Sequence, residues 1–179
     1  MNALLLHCCC GPCSTSSIEK LRELGYEPTL FFGNSNIFPP EEAVKRFKAL
    51  QVVADHFSLN IVHHPYNHSN WLETVKGHAQ DPEGGERCAL CFAYNLREAA
   101  REASHLKIPF FTTTLTVSPH KKSPMIFKIG KHWHEFVAID FKKKGGFQRS
   151  LELSRMLDLY RQDYCGCEFS RRAKEDSQP

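Results

Sequence analysis

Cysteine is the residue type in this sequence most able to carry chemistry, and its spacing indicates which chemistry. The chain of 179 residues contains eight cysteines. They form three tight groups: Cys8, Cys9, Cys10 and Cys13, then Cys88 and Cys91, then Cys165 and Cys167. Thiols grouped in this way are ligands for zinc ions or iron–sulfur clusters. The spacing therefore predicts a metal site assembled from distant parts of the chain.

Two kinds of metal centre fit the thiols about equally well. The four cysteines with the spacing usual for structural zinc are Cys10, Cys13, Cys88 and Cys91. A cubane iron–sulfur cluster also takes four thiolates and, being larger, can be reached by adjacent cysteines. Either centre leaves Cys165 and Cys167 unused. The surplus indicates a second function, either a further metal or a thiol pair that cycles through a disulfide.

Two cysteines of the first group are expected to behave differently from each other. Cys8 continues the apolar strand pattern of residues 4–6, and a buried free cysteine packs as a small hydrophobic side chain. Cys13 lies at the start of a predicted helix, where the backbone amides and the helix dipole favour the thiolate. We therefore expect Cys8 to pack in the core, and Cys13 to bind a metal or act as a nucleophile.

The elements that must position these thiols alternate between strand and helix. Apolar runs predict strands at residues 3–7, 29–32, 61–62, 108–112 and 136–139. Helical spacing predicts helices capped by Ser14 and Thr15, after Pro40, around Trp71, from Cys88 onward, and from Leu151 to Tyr160. This alternation predicts an α/β fold with a mostly parallel sheet and helices on both faces. We expect one domain over residues 1–170, followed by a polar C-terminal tail at 171–179.

Ligands of open parallel sheets bind beyond the carboxyl ends of the strands. The first cysteine group follows the first predicted strand, residues 112–114 follow the fourth, and Asp140 follows the fifth. The threonine hydroxyls at 112–114 either pack within the strand or face a substrate. Asp140 either forms an ion pair or helix cap near the lysines that follow it, or serves as a metal ligand or in proton transfer. One edge of the sheet is thus predicted to collect the chemistry.

Composition narrows the setting of that chemistry. The net charge of +3 is compatible with a nucleic-acid partner, and basic segments at 121–122, 142–144 and 171–172 could contact phosphates. The first residues lack the pattern of a secretory signal, and no apolar run approaches the roughly 18 residues of a membrane span. We therefore expect a cytoplasmic protein with no membrane partner, whose thiols stay reduced.

Several further motifs match a known family in order along the chain. They are residues 7–13 (HCCCGPC), 32–37 (FGNSNI), 85–92 (GERCALCF), 112–115 (TTTL) with 118–119 (SP), 140–143 (DFKK) and 160–167 (YRQDYCGC). From residue 4 to about residue 170 the chain resembles the QueH family of epoxyqueuosine reductases. The resemblance implies a nucleotide-hydrolase-like (HUP/Rossmann-like) layout and a cobalamin-independent enzyme. Such an enzyme removes the epoxide oxygen of epoxyqueuosine at the wobble position of tRNA, giving queuosine.

The resemblance also implies roles for individual residues. It places a 4Fe-4S cluster on four ligands, Cys9, Cys10, Cys88 and Cys91. It gives Cys165 and Cys167 the role of a redox-active pair or of ligands to a second metal, and it makes Cys13 a ligand of a second, mononuclear iron. The reaction consumes two electrons and two protons, so it requires an electron donor, and Asp140 or water would deliver the protons.

Two other functions use part of the same sequence. A tRNA sulfur-transferase with a cysteine-ligated cluster would need a phosphate-binding loop, yet the turn after the first strand is rich in cysteine and lacks a Ser-Gly-Gly-x-Asp-Ser motif. A zinc-stabilised RNA-binding module would use four thiols and leave the others idle. The two alternatives differ from a reductase in ATP use and in redox activity.

Overall fold

The computed structural model describes residues 1–175, which form a four-stranded parallel sheet with helices on both faces. In chain order the elements are β1 (Asn2–His7), α1 (Gly11–Glu23), β2 (Tyr26–Phe32), α2 (Pro40–Phe57), β3 (Ile61–His63), α3 (His68–Thr74), α4 (Glu86–His105), β4 (Phe110–Thr113), a 3-10 helix (Thr114–Val117), α5 (Ser123–Gly130), α6 (Gly146–Met156) and α7 (Glu168–Glu175). The predicted α/β class and parallel sheet are confirmed.

The strand order β3-β2-β1-β4 explains how the helices divide between the two faces. The chain moves outward from β1 to β2 to β3 and then crosses back to β4 on the other side of β1. Because parallel crossovers are right-handed, α1 and α2 cover one face, while α3 and α4 cover the other. α6 packs on α1, and α5 packs on α4. The reversal of direction lies beside β1, so the turn after β1 occupies the position where such sheets bind ligands.

The centre of the core is β1, which is buried on both faces of the sheet. Leu4, Leu5 and Leu6 are all fully buried, as expected of a central parallel strand. Cys8 extends this buried run, and its thiol donates a hydrogen bond to the carbonyl of Leu6 at 3.2 Å. Burial raises the pKa of the Cys8 thiol well above its usual value. The prediction that Cys8 packs in the core is confirmed.

The predicted fifth strand at residues 136–139 is wrong. The segment makes a single parallel bridge, between Phe111 and Phe136, and does not form a strand. β4 ends at Thr113 and turns directly into the 3-10 helix, so no strand partner continues beside the segment. The side chain of Thr112 helps to hold this segment beside β4, because its hydroxyl donates a hydrogen bond to the carbonyl of Val137 at 2.7 Å.

Two predicted helices have different bounds in the structure, and two further helices were not predicted. The first helix begins at Gly11 and not at Ser14, because the sulfur of Cys10 caps it by accepting a hydrogen bond from the amide of Cys13. α6 ends at Met156, so Tyr160 lies outside it. α5 was not predicted, and α7 overlaps the predicted polar tail as far as Glu175. Residues 176–179 of that tail lie outside the described residues. No helix among residues 1–175 is both long and apolar enough to cross a lipid bilayer.

Candidate active site

Three cysteines of the β1–α1 turn form a compact group, called here the inner thiols: Cys9, Cys10 and Cys13. Their sulfur atoms all lie within 4.8 Å of one another. The sulfur of Cys10 accepts hydrogen bonds from the amide of Cys13 at 3.4 Å and from the side-chain amide of Gln162 at 3.0 Å. The hydroxyl of Thr114, the first residue of the 3-10 helix after β4, donates to the sulfur of Cys9 at 3.4 Å. Side chains from two other parts of the chain, Gln162 before α7 and Thr114 after β4, thus hold the β1–α1 turn in place.

The inner thiols differ in how readily they lose a proton. The hydrogen-bond partners Cys10 and Cys13 hold the pKa of Cys9 well below its usual value, against the opposing effect of burial. Burial raises the pKa of Cys10 to about 12, and the interactions of Cys13 with Cys10 and Cys9 raise the pKa of Cys13. The thiolate is the form of cysteine that binds metals, and Cys9 is the inner thiol whose surroundings favour it.

Apart from the core residue Cys8, the other four cysteines form a second group, called here the outer thiols: Cys88, Cys91, Cys165 and Cys167. Cys88 and Cys91 lie one turn apart near the start of α4, and the amide of Gly84 donates to the sulfur of Cys88 at 3.2 Å. The sulfurs of Cys165 and Cys167 are 3.8 Å apart, and both residues are free thiols. Interaction with Cys167 lowers the pKa of Cys165, so Cys165 is the member of this pair whose surroundings favour the thiolate.

Cys9 and all four outer thiols line one cavity of about 740 Å³, measured with its open mouth. Its walls come from the β1–α1 turn, the segment after β2, the first turns of α4, the segment before α5 and the loop before α7. Burial acts to lower the pKa of the half-buried Lys121 in this wall, but electrostatic interaction with the cysteines, Cys9 and Cys165 foremost, outweighs burial and raises it. Lys121 is therefore a cation of the cavity wall that interacts with both cysteines.

Arg46 is a functional residue that the sequence analysis missed. Its side chain is 1 % exposed and pairs with Glu42, one helical turn earlier in α2, at 2.7 Å. Its guanidinium also donates to the carbonyls of Tyr164 and Cys165, each at 3.2 Å. Gly166 has a φ of +121°, and a Cβ atom there would lie 3.0 Å from Arg46. Arg46 thus holds the loop that carries Cys165 and Cys167 against the sheet edge. The available sequence signal was an Arg and a Glu four residues apart on the inward face of α2.

The cavity contains buried polar atoms that the protein itself leaves unsatisfied. The side-chain oxygens of Asn36 and Asn95 and the Nε of Arg87 have no hydrogen-bond partner among the described residues. All three residues line the thiol cavity and are at least nine-tenths buried. Because an unpaired buried polar group costs about 1–3 kcal/mol, these atoms indicate that the cavity holds a polar ligand.

Asp140 is not brought to the thiols. Its carboxylate accepts hydrogen bonds from the hydroxyl of Ser123 at 2.9 Å and from Lys142 at 3.3 Å. It lines a second cavity that shares no residue with the thiol cavity. This is the ion-pair alternative of the sequence analysis, and the proton-transfer role of Asp140 stays a prediction. Thr113 and Thr114 differ in their contacts. The hydroxyl of Thr113 hydrogen bonds with the buried His7, whereas the hydroxyl of Thr114 accepts a hydrogen bond from the backbone amide of Cys9.

Sequence comparison relates this chain to a known protein family. A sequence model of the family described as epoxyqueuosine reductase QueH matches residues 4–173 of this chain. The chain belongs to the QueH family. The family match spans all three cysteine groups and both sides of the thiol cavity. The resemblance stated from the sequence motifs is therefore confirmed.

Relatives of known name agree with membership of the QueH family. The epoxyqueuosine reductase QueH of Thermotoga maritima is 39% identical over 178 residues, an alignment that covers 95% of this chain and 91% of the relative. The enzyme of the same name from Streptococcus pyogenes is 35% identical over 179 residues, covering 94% of this chain and 70% of the relative. Both similarities extend over nearly the whole chain.

A solved structure shares the fold with this QueH-family chain. The U34-tRNA thiolase NcsA from Methanococcus maripaludis, solved with its [4Fe-4S] cluster, superposes with a TM-score of 0.56. The match covers 99% of this chain and 66% of the thiolase, at 13% sequence identity. At that identity the comparison supports the α/β layout and nothing finer.

Proposed function

We propose that this chain is a cobalamin-independent epoxyqueuosine reductase that converts epoxyqueuosine to queuosine at the wobble position of tRNA. One observation carries the proposal: Cys9 and the four outer thiols meet in one cavity, in a chain that matches the reductase family over residues 4–173. A reducing compartment is needed to keep all eight cysteines free, so we place the reaction in the cytoplasm.

The thiols fit the ligand set of a 4Fe-4S cluster and a further iron. We assign the cluster to Cys9 and Cys10 of the inner thiols and to Cys88 and Cys91 of the outer thiols, and a mononuclear iron to Cys13. The fit rests on soft sulfur donors, because Cys9, Cys88 and Cys91 line one cavity and the sulfurs of Cys10 and Cys13 lie within 4.8 Å of that of Cys9. When bound, the cluster would supply electrons at low potential.

Cys165 and Cys167 suit a second redox role. Reduction of an epoxide to an alkene and water consumes two electrons and two protons. Oxidation of two thiols to a disulfide releases the same numbers, so the pair could balance one complete turnover. The sulfur atoms need to approach from 3.8 Å to about 2 Å to form the bond, and the intervening Gly166 gives the backbone freedom to do so. An external electron donor would then restore the dithiol.

The double variant Cys165→Ser/Cys167→Ser tests this redox role. We expect the fully reduced variant, freed of excess reductant, to hold two electrons fewer than the wild type. Its product yield in a single turnover should fall while its iron and sulfide content stays unchanged. An anaerobic redox titration and product analysis by mass spectrometry measure both quantities. An unchanged electron count in the variant would show that Cys165 and Cys167 do not store electrons for the reaction.

Asn36 is proposed to recognise the substrate, because its buried side-chain oxygen faces the thiol cavity without a partner. Asn36→Ala should leave the protein at least as stable as the wild type, since it deletes an acceptor that no described group satisfies. The same change should lower kcat/KM for the modified tRNA about 3-fold to 10-fold, the loss of one neutral hydrogen bond. Urea unfolding and steady-state kinetics check the two effects. Lower stability with unchanged kinetics would make Asn36 purely structural.

The reaction itself is tested with tRNA isolated from cells that accumulate epoxyqueuosine. Anaerobic, iron-loaded protein with a chemical reductant should convert that nucleoside to queuosine, with the loss of one oxygen atom seen by mass spectrometry. Formation of a thiolated base in an ATP-dependent reaction would favour the sulfur-transferase alternative. Tight tRNA binding by a zinc-containing protein with no change in the nucleoside would favour the RNA-binding module.

A further inference from the structure

A second cavity, of about 1170 Å³ with its open mouth, lies between α1, the loop before α6 and the start of α6. Its lining includes Ser16 and Glu19 of α1, Lys143 and Lys144 of the loop, and Gly146 and Arg149 of α6. It shares no lining residue with the thiol cavity. We propose that this cavity binds a backbone phosphate of an RNA chain, an inference that rests on the proposed tRNA substrate and adds the place where that substrate is held.

The acidic groups of the cavity are already occupied by cations. Glu19 binds Arg149 through two hydrogen bonds of 2.9 Å. The other lining carboxylates are Glu23, which pairs with Lys20 at 2.8 Å, and Asp140, which pairs with Lys142 at 3.3 Å. Paired carboxylates repel an approaching anion much less than isolated ones do. The charge left over in the cavity is therefore set by the lysines that have no such partner.

The three consecutive lysines of the loop do not share one role. The ammonium of Lys142 turns inward, where it contacts the hydroxyl of Ser123 and donates to the carbonyl of Lys121 at 3.2 Å. Lys143 and Lys144 are exposed, line the cavity, and form no side-chain hydrogen bond or ion pair with any residue in the described part of the chain. Two ammonium groups are thus free for a ligand, while Lys142 fixes the loop.

The start of α6 adds a second attraction for an anion. α6 has 11 residues, and no side chain caps it. Uncapped amides and the helix dipole at such an end favour a phosphate. Gly146 makes this approach possible, because a Cβ atom there would lie 1.8 Å from the carbonyl oxygen of Phe141. The loop can therefore fold closely onto the helix start and present both lysines beside it.

Ser16 is the independent sign that this cavity has a polar occupant. The residue is 5 % exposed, its hydroxyl finds no hydrogen-bond partner among residues 1–175, and it lines the cavity. A buried hydroxyl without a partner is unfavourable by about 1–3 kcal/mol, which a phosphate oxygen would relieve by accepting its hydrogen bond. Ser16 thus supplies a neutral donor on the wall that α1 contributes.

The position of this phosphate site suits an RNA whose modified base enters the thiol cavity. Ser16 lies one helical turn after Cys13 on α1. Lys142, in the loop beside the second cavity, donates a hydrogen bond to the carbonyl of Lys121, and Lys121 lines the thiol cavity. Single-stranded loops are recognised by splayed bases together with contacts to the neighbouring backbone. The proposal therefore places one segment of single-stranded RNA across both sites.

The test measures the affinity of the metal-loaded protein for unmodified tRNA as a function of salt. For the double variant Lys143→Gln/Lys144→Gln we expect Kd to rise about tenfold at roughly 0.1 M salt, and the slope of log Kd against log salt to fall by about 1–2. The matched control is Lys128→Gln/Lys131→Gln, which removes the same charge from two exposed lysines at the end of α5 and should leave the slope unchanged. Equal changes of slope in the two variants would overturn the site in favour of a general basic surface.

Ser16→Ala separates a built site from surface charge. We expect this variant to weaken tRNA binding about threefold with an unchanged salt slope, because the lost donor is neutral. No loss of affinity would show that the phosphate does not enter the cavity and would overturn the proposal. Because the unmodified tRNA cannot be reduced, this result is independent of the reaction. If the wild type reduces epoxyqueuosine but these variants bind tRNA as the wild type does, the proposed function stands and the phosphate site is wrong. If the wild type neither binds tRNA nor reduces the nucleoside, both proposals are wrong.

Discussion

Cys88→Ala is expected to abolish iron–sulfur binding and to lower reductase activity by about 100-fold or more. Cys88 lines the thiol cavity together with Cys9, and it lies in the first turn of α4, the helix that also carries Cys91. Removal of one of four sulfur ligands leaves an incomplete site. Iron and acid-labile sulfide per chain, measured after anaerobic reconstitution, check the first effect, and conversion of epoxyqueuosine in tRNA checks the second.

The matched control for this prediction is Cys8→Ala. Cys8 is also a buried cysteine, but its thiol binds the carbonyl of Leu6 and faces the core. Its removal should reduce stability by about 1 kcal/mol, as for other losses of a small buried group, and should leave the iron content at the wild-type level. Full cluster content and activity in Cys88→Ala would contradict the ligand assignment. Loss of the cluster in Cys8→Ala would show that Cys8 is not separate from the metal site.

Arg46→Met is expected to destabilise the protein by about 3–5 kcal/mol. The substitution leaves Glu42 buried without its cation and removes two hydrogen bonds to the loop that carries Cys165. Because this loop forms one wall of the thiol cavity, activity should fall together with stability. Urea unfolding at equal metal content measures the free energy of unfolding.

Two further variants separate the buried charge from the loop contacts. Glu42→Gln/Arg46→Met should recover part of the lost stability, since no unpaired charge remains, but it should not recover activity. Arg149→Met breaks an exposed pair with Glu19 and should leave the free energy of unfolding nearly unchanged. Equal losses from Arg46→Met and Arg149→Met would contradict the buried role of Arg46.

The sequence predicted those parts of the fold that follow from local patterns. Four strands, the core position of Cys8 and the helix that begins near Cys88 each depend on a run of apolar residues or on helical spacing. Residues 136–139 have the same apolar pattern as a strand, yet β4 is only four residues long and leaves the sheet at Thr113. Whether an apolar run finds a partner strand depends on contacts far along the chain, which a local pattern does not contain.

The candidate site could be predicted by residue type but not by grouping. The three cysteine groups were evident from spacing, whereas the division into inner and outer thiols depends on how α4 and the loop before α7 meet the β1–α1 turn. Arg46 was missed because its importance depends on its burial against the cavity, which its spacing from Glu42 does not reveal by itself. Asp140 was expected to follow a fifth strand, which does not form, and its carboxylate lies in the second cavity instead.

A single-turnover experiment without external reductant tests the central claim that epoxyqueuosine is reduced at the thiol cavity. Iron-loaded protein is reduced, freed of excess reductant and mixed anaerobically with tRNA that contains epoxyqueuosine, while queuosine and the visible absorption of the cluster are followed together. The account predicts that queuosine forms in an amount limited by the electrons stored in the protein, and that the absorption bleached by reduction returns as product appears. Equal product from metal-free protein, or product that accumulates while the cluster stays reduced and the thiols stay free, would contradict it.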